Sequence, residues 1–224
     1  MKISVNHVSK TFGNTNVIDD ISMELESGNV YGFQGINGCG KTMLMRLISG
    51  LIYPTNGRII VDGKALGGEN SFPKNMGLLI ENPSFLNSYS GYKNLEMLAS
   101  ISGKISKDEV RDALYRVGLS ESADKKYGKY SLGMRQRLGI ACAIMEHPEL
   151  ILLDEPFISL DETAVDMVAE IIREEKERGA LIILACHDYE LLSGASNEIF
   201  KIVGGKLAHH LVKGENSIFS EVAQ

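Results

Sequence analysis

The octapeptide Gly35-Ile36-Asn37-Gly38-Cys39-Gly40-Lys41-Thr42 has the spacing G-x-x-x-x-G-K-[ST]. Its glycines permit positive φ, so consecutive backbone N–H groups can turn inward around phosphate oxygens. A helix beginning near Lys41 adds the partial positive charge of its N-terminus. In such a loop Lys41 reaches the β- and γ-phosphates of a nucleotide, and the Thr42 hydroxyl ligates Mg²⁺. Cys39 has two readings: a small residue filling an alanine-like slot, or a thiol beside a helix N-terminus, where its pKa would fall.

Two acids end the apolar run "LILLDEP", Leu150 to Pro156. A carboxylate at the end of a buried strand is costly unless it meets a cation. Mg²⁺ meets that need and places Asp154 in its inner or outer shell. Glu155, one residue on, can point past the phosphates and orient or deprotonate an attacking water. The pair can also serve simply as acids capping the following helix. His187 follows the apolar run "LIILAC". Open parallel sheets place ligands beyond the carboxyl ends of their strands, so an imidazole there can bridge a γ-phosphate and Glu155; standing alone it would be structural.

A second anion-binding pattern lies in "YSLGMRQRLGIACAI", Tyr130 to Ile144. Ser131 can cap a helix, Gly133 allows close approach of a ligand, and Arg135 and Arg137 follow. With Lys125, Lys126 and Lys129 they make an acidic chain locally basic, either to meet a phosphate or as a solvated helix face.

These residues need a frame. "KISVNHV", "VIDDISMEL" and "GRIIVDG" alternate or cluster β-formers between turn residues, which predicts antiparallel strands near the N-terminus. "NVYGF" runs as a strand into the glycine loop and "MLMRLISGL" as a helix out of it, the context a phosphate loop requires. Ser106 and Glu109 are spaced as a capping box, with Val110, Ala113, Leu114 and Val117 on one face. "YKNLEMLASI" before this helix and the Ser131 helix after it make the middle of the chain helical. Strand "LILLD", a helix from Asp161 with Val165, Val168, Ala169 and Ile172 on one face, and strand "ALIILAC" then predict a parallel sheet covered on both sides. The expected organisation is a single α/β domain over residues 1–224. Its core spans 1–81 and 146–210, a helical insertion about 82–145, and a C-terminal tail 211–224.

Composition narrows the partners. With 224 residues, 44% of them hydrophobic, the chain is long enough for one large domain or a core with an appendage. A net charge of −6 argues against general nucleic-acid binding. No apolar run approaches the roughly 20 residues that span a bilayer, and "MKISVNHVSKTF" alternates rather than forming a signal-peptide core. A membrane role must therefore come through a partner. Cys39, Cys142 and Cys186 stand apart without metal-ligand spacing and suit a reducing cytoplasm. His7, His147, His209 and His210 have no ligand-like neighbours in sequence.

Together these motifs resemble the ATP-binding subunit of ATP-binding-cassette (ABC) transporters, over most of the chain from about Val5 to His210. The resemblance implies a P-loop NTPase cassette: a RecA-like parallel core, an N-terminal antiparallel β subdomain and an inserted α-helical subdomain. Gly35–Thr42 match the Walker A loop, Leu150–Glu155 the Walker B strand, Ile158–Asp161 the D-loop, and His187 the switch histidine. Phe12 stands where the family stacks an aromatic on adenine. "SLGMRQ" aligns with the signature usually written LSGGQ. In the family two cassettes pack head to tail, so Ser131 and the backbone near Gly133 bind the γ-phosphate held by the partner's Walker A loop. The implied cofactors are ATP and Mg²⁺. The implied partners are a second ATP-binding subunit, here a homodimer, and a polytopic membrane permease that holds the protein on the inner face of the cell membrane, with no nucleic acid.

Two departures mark a branch. Leu132 and Met134 replace a glycine and the glutamine of the signature, while Ser131 and Gly133 remain. Glu81, in "MGLLIENPSF", stands where the family has glutamine; either side chain offers an oxygen to Mg²⁺, but glutamate also brings charge. Both segments look like the bacitracin-resistance and lantibiotic-immunity branch, which implies export of, or immunity to, antimicrobial peptides or other amphipathic compounds. The alternative is a soluble ABC ATPase or regulator without a transport partner. An ATPase acting on ribosomes or DNA would carry two cassettes or a long coiled-coil insertion, and a non-hydrolysing regulator would lack Glu155 or His187.

Overall fold

Alternation of buried and exposed residues builds the first sheet. In the computed structural model, which describes residues 1–68, 70–214 and 218–222, β1 (Lys2–Phe12) turns Ile3, Val5 and Val8 inward. It pairs antiparallel with β2 (Thr15–Glu26) and with β4 (Asn56–Val61), and β5 (Lys64–Ala65) extends the edge. The order is β2-β1-β4-β5, the expected N-terminal antiparallel subdomain.

The larger sheet follows a different rule. Its strands β3 (Val30–Gln34), β7 (Leu150–Asp154) and β8 (Leu181–Cys186) are buried almost throughout, as strands covered on both faces must be. With β6 (Met76–Leu79), β9 (Glu198–Val203), β10 (Lys206–Lys213) and β11 (Phe219–Glu221), the order among the described residues is β11-β10-β9-β3-β8-β7-β6, parallel from β9 to β6. Side chains alternate between two cores. Ile151, Leu153, Ile182 and Leu184 face the core that includes the helical insertion. Leu150, Leu152, Leu181 and Ile183 face the core shared with the N-terminal sheet and with α1 (Lys41–Ile48).

The insertion contains α2 (Gly91–Ser102), α3 (Lys107–Arg116) and α4 (Leu132–Ile144). The capping box is present: Ser106 Oγ accepts from the Glu109 N–H at 3.3 Å, and Glu109 Oε2 accepts from the Ser106 N–H at 2.7 Å. Val110, Ala113, Leu114 and Val117 are all buried as their spacing predicts.

Two expectations about elements are corrected. On α5 (Glu162–Glu177) the buried stripe is Ala164, Val168, Ile171, Ile172 and Glu175, with Val165 and Ala169 at its margin. Glu175 shifts the stripe because it lies inside, 2% exposed, where Arg116 and Arg178 both donate to it at 2.7 Å. Residues 211–213 belong to β10 (Lys206–Lys213), which pairs with β11 (Phe219–Glu221), so the ladder continues past residue 210; residues 215–217, 223 and 224 of the expected tail lie outside the described residues. His209 and His210 sit in β10 beside Glu221 and Glu198.

Glu175 ties α3 of the insertion to α5 of the core. Removing one partner of a buried ion pair strands the other charge, at a cost of about 3–5 kcal/mol. Glu175→Ala is expected near the lower end, because Arg116 keeps Glu174 at 2.8 Å. A thermal melt should fall by about 6–12 °C; an unchanged melting temperature would show that the pair contributes nothing.

Candidate functional site

β3, β7 and β8 all end at one edge of the parallel sheet, and the candidate residues gather there. β3 stops at Gln34 and the chain wraps through 35–40 into α1. Gly40, at φ 115°, caps α1 in a backbone region closed to most side chains, and an added Cβ would come 2.8 Å from Ile18 Cδ1. Ile36, Asn37 and Gly38 are exposed at the loop's crest, while Cys39 packs beneath. Cys39 thus fills space in the loop's underside.

Lys41 is 5% exposed. Its Nζ donates to the carbonyls of Gly35 at 2.6 Å and Ile36 at 3.3 Å, and lies 3.9 Å from Glu155 Oε1. A buried cation encircled by its own loop is a fixed positive centre for an anion on the loop's crest. Next to it, the Thr42 hydroxyl donates to Asp154 Oδ2 at 2.7 Å.

Asp154 and Glu155 are neighbours in sequence, and a continuing strand would send them to opposite faces. β7 ends instead at Asp154, and Glu155 adopts φ 48°, a left-handed conformation that costs a non-glycine residue about 1–3 kcal/mol. Its N–H still donates to the Ala185 carbonyl at 2.8 Å. The twist re-aims the carboxylate toward the glycine loop. There Oε2 meets His187 Nδ1 at 2.9 Å, while Oε1 is enclosed without a hydrogen-bond partner. Burial pushes the Asp154 carboxyl above the usual carboxylate range and the neighbouring Glu155 charge adds to this, against the opposing pull of the Thr42 hydroxyl, Lys41 and the Glu81 backbone N–H. Two close, partly enclosed carboxylates, one orphaned oxygen and a hydroxyl form a hard oxygen donor set. They suit Mg²⁺, with Thr42 and Asp154 as the residues able to hold it.

Glu81 differs from its expected setting. Its backbone lies against Asp154, but its φ of 60° turns the side chain outward, where Arg46 Nη2 donates to Oε1 at 2.7 Å. Phe12 closes β1 with its ring half exposed and Lys10 Nζ 5.0 Å from the ring centroid, outside this hydrogen-bonded cluster.

The second pattern forms a separate surface. Ser131 caps α4, its Oγ accepting from the Met134 N–H at 3.2 Å, which leaves the hydroxyl proton free to donate. Gly133 packs so closely on the 158–161 turn that an added Cβ would lie 2.7 Å from the Ser159 carbonyl oxygen. Asp161 caps α5, accepting from the Ala164 N–H at 2.9 Å. The two arginines do not join an anion site. Arg135 lies 5.1 Å from the Tyr127 ring centroid, and Arg137 donates to the carbonyls of Val117 and Gly118 at 3.1 and 3.0 Å. Their helix positions point back into the insertion, so the basic character there comes from the exposed Lys125, Lys126 and Lys129.

Gln136 carries no motif of its own in the sequence, yet it links the two surfaces. It is 5% exposed in α4 and donates to the carbonyls of Glu155 at 3.0 Å and Pro156 at 3.2 Å. Its legible signal is a lone amide on the apolar side of α4, four residues before Ile140.

A phosphate cradle on a parallel sheet, an insertion of helices and two acids beside a histidine define a nucleotide-binding cassette of the P-loop class. The chain belongs to the ABC transporter family, whose family model matches residues 18–158. It is 46% identical over 188 residues to the uncharacterised ABC transporter ATP-binding protein YybJ of Bacillus subtilis, covering 84% of this chain and 86% of that one. It is 35% identical over 216 residues to the bacitracin transport ATP-binding protein BcrA of Enterococcus faecalis, covering 96% and 69%. A solved ATP-binding subunit of an ABC transporter superposes with a TM-score of 0.85 at 25% identity, covering 95% of this chain and 90% of that one. The protein is thus the ATP-binding subunit of an ABC transporter.

Proposed function

We propose that two copies of this chain close head to tail on two ATP molecules and hydrolyse them to drive a membrane permease. The reading is carried by one observation: the left-handed turn at Glu155 aims its carboxylate between Lys41 and His187. In this reading the 35–42 backbone and Lys41 hold the β- and γ-phosphates, and Phe12 stacks on adenine. Ser131 and the N–H groups near Gly133 complete the site from the other copy, with Asp161 beside them. Thr42 and Asp154, joined by Glu81 once it leaves Arg46, would hold Mg²⁺, which would supply positive charge against the triphosphate. Glu155 then takes a proton from the attacking water, and His187 keeps that carboxylate in place and reaches the γ-phosphate. Closure excludes bulk water from the phosphates. After hydrolysis, Glu155 and Asp154 face separate anionic products that repel one another, which favours reopening. Loop 82–100 and the helical insertion pass this motion to the permease, which keeps the protein at the inner face of the cell membrane.

The departures at Glu81, Leu132 and Met134 and the likeness to a bacitracin transport protein support amphipathic antimicrobial peptides as the exported cargo. Cells lacking the gene should become more sensitive to such peptides, with resistance restored by the wild-type chain and not by Glu155→Gln. Unchanged sensitivity would overturn the substrate assignment.

Glu81 can reach the metal only by leaving Arg46. An exposed pair of this kind holds by about 0–1 kcal/mol, weak enough for Mg-ATP to compete. Glu81→Gln is expected to preserve ATP binding while changing the ratio of transport to hydrolysis, measured in vesicles carrying the complete transporter. Unaltered coupling would count against the assignment.

A further inference from the structure

Beside the phosphate cradle lies a second donor set, which the hydrolytic cycle does not use as a set. β8 ends at Cys186, 2% exposed, and the chain bends at His187. The bend brings two consecutive side chains to the side occupied by Glu155. One donor atom each from Glu155, Cys186 and His187 lies within 4.8 Å of the others. One oxygen of Glu155 is enclosed and has no hydrogen-bond partner, and the other meets His187. Cys39 and Cys142 do not belong to this cluster.

We propose that Glu155, Cys186 and His187 form an inhibitory binding site for a zinc-like transition-metal ion. Sulfur, nitrogen and oxygen are the donors of zinc sites, and three protein ligands with one open position is a common zinc arrangement. Zinc–sulfur and zinc–nitrogen bonds of about 2.3 and 2.0 Å place tetrahedral donors roughly 3.3–3.6 Å apart. Rotation of the exposed His187 ring and of the Glu155 carboxylate can close the remaining distance on Cys186, which the end of β8 holds in place. Mg²⁺ does not compete here, because it selects oxygen donors and finds them at Thr42 and Asp154. The thiol gives up its proton to solvent when the metal binds. An ion so held takes the Glu155 carboxylate away from water and His187 away from the γ-phosphate. Nucleotide can still bind, and turnover stops. The inhibitory consequence rests on the hydrolytic roles proposed for Glu155 and His187; the binding of metal does not.

The full chain titrated with Co²⁺ in the absence of nucleotide should show a thiolate-to-cobalt charge-transfer absorption. Zn²⁺ should abolish it and Mg²⁺ should not. Cys186→Ala should lose the band, Cys142→Ala should keep it, and His187→Ala, an exposed change that leaves the core intact, should weaken cobalt binding about 10-fold or more. Zn²⁺ at micromolar levels should arrest Mg-ATP hydrolysis by the wild-type chain, and Cys186→Ala should require about 10-fold more or higher. No cobalt band, or a band that survives Cys186→Ala, overturns the site. Hydrolysis indifferent to bound zinc overturns the inhibition. A cobalt band in a chain without ATPase activity upholds the metal site and refutes the hydrolytic reading instead.

Discussion

Glu155→Gln should slow ATP hydrolysis by about 10²-fold or more while leaving nucleotide affinity near the wild-type value. The amide keeps the size of the carboxylate but cannot accept the proton of the attacking water. The left-handed backbone at Glu155, its bond to Ala185 and the Gln136 contacts to the following carbonyls all involve the main chain and survive the change. ATP that binds without being consumed should hold the closed pair of cassettes, so gel filtration with light scattering should show an ATP-dependent dimer more persistent than that of the wild type. Normal turnover in this variant would refute Glu155 as the base.

Lys41→Met should act one step earlier, on binding. The side chain keeps its length within the loop, but the cation buried in the cradle is gone. Truncating a buried, hydrogen-bonded charge pair costs about 2–5 kcal/mol, which weakens ATP binding about 30-fold or more. Equilibrium titration with a fluorescent ATP analogue measures the loss, and a thermal melt confirms that the loop still folds. Affinity within about twofold of wild type would remove Lys41 from the phosphate site.

Much of this architecture was legible because local and global signals agree. The glycine loop has a fixed spacing, and its flanking strand and helix are apolar on the sides they bury. Ser106 and Glu109 specify the start of α3 through their own hydrogen bonds. Less legible were the features set by tertiary contact. The buried face of α5 shifts toward Glu175 because Arg116, at the end of α3, and Arg178, at the C-terminal cap of α5 itself, neutralise it, and sequence periodicity counts a glutamate as exposed. Arg135 and Arg137 look like anion ligands by proximity to Ser131, but an aromatic ring and two carbonyls hold them away. Glu81 pairs with Arg46 through a left-handed turn that no periodicity encodes. The three cysteines show no metal spacing in the chain, yet Cys186 converges on Glu155 and His187 because β7 and β8 are neighbours in the sheet.

Sharing of one triphosphate by two chains is the claim from which the functional reading descends. A photo-crosslinking residue in place of Leu132, which is 69% exposed beside the Ser131 cap, tests it directly in the Glu155→Gln background. With saturating Mg-ATP, peptide mapping should find the crosslink on the 35–42 loop of a second copy, and without nucleotide it should vanish. If Mg-ATP is bound and that loop is never captured, the shared site does not exist.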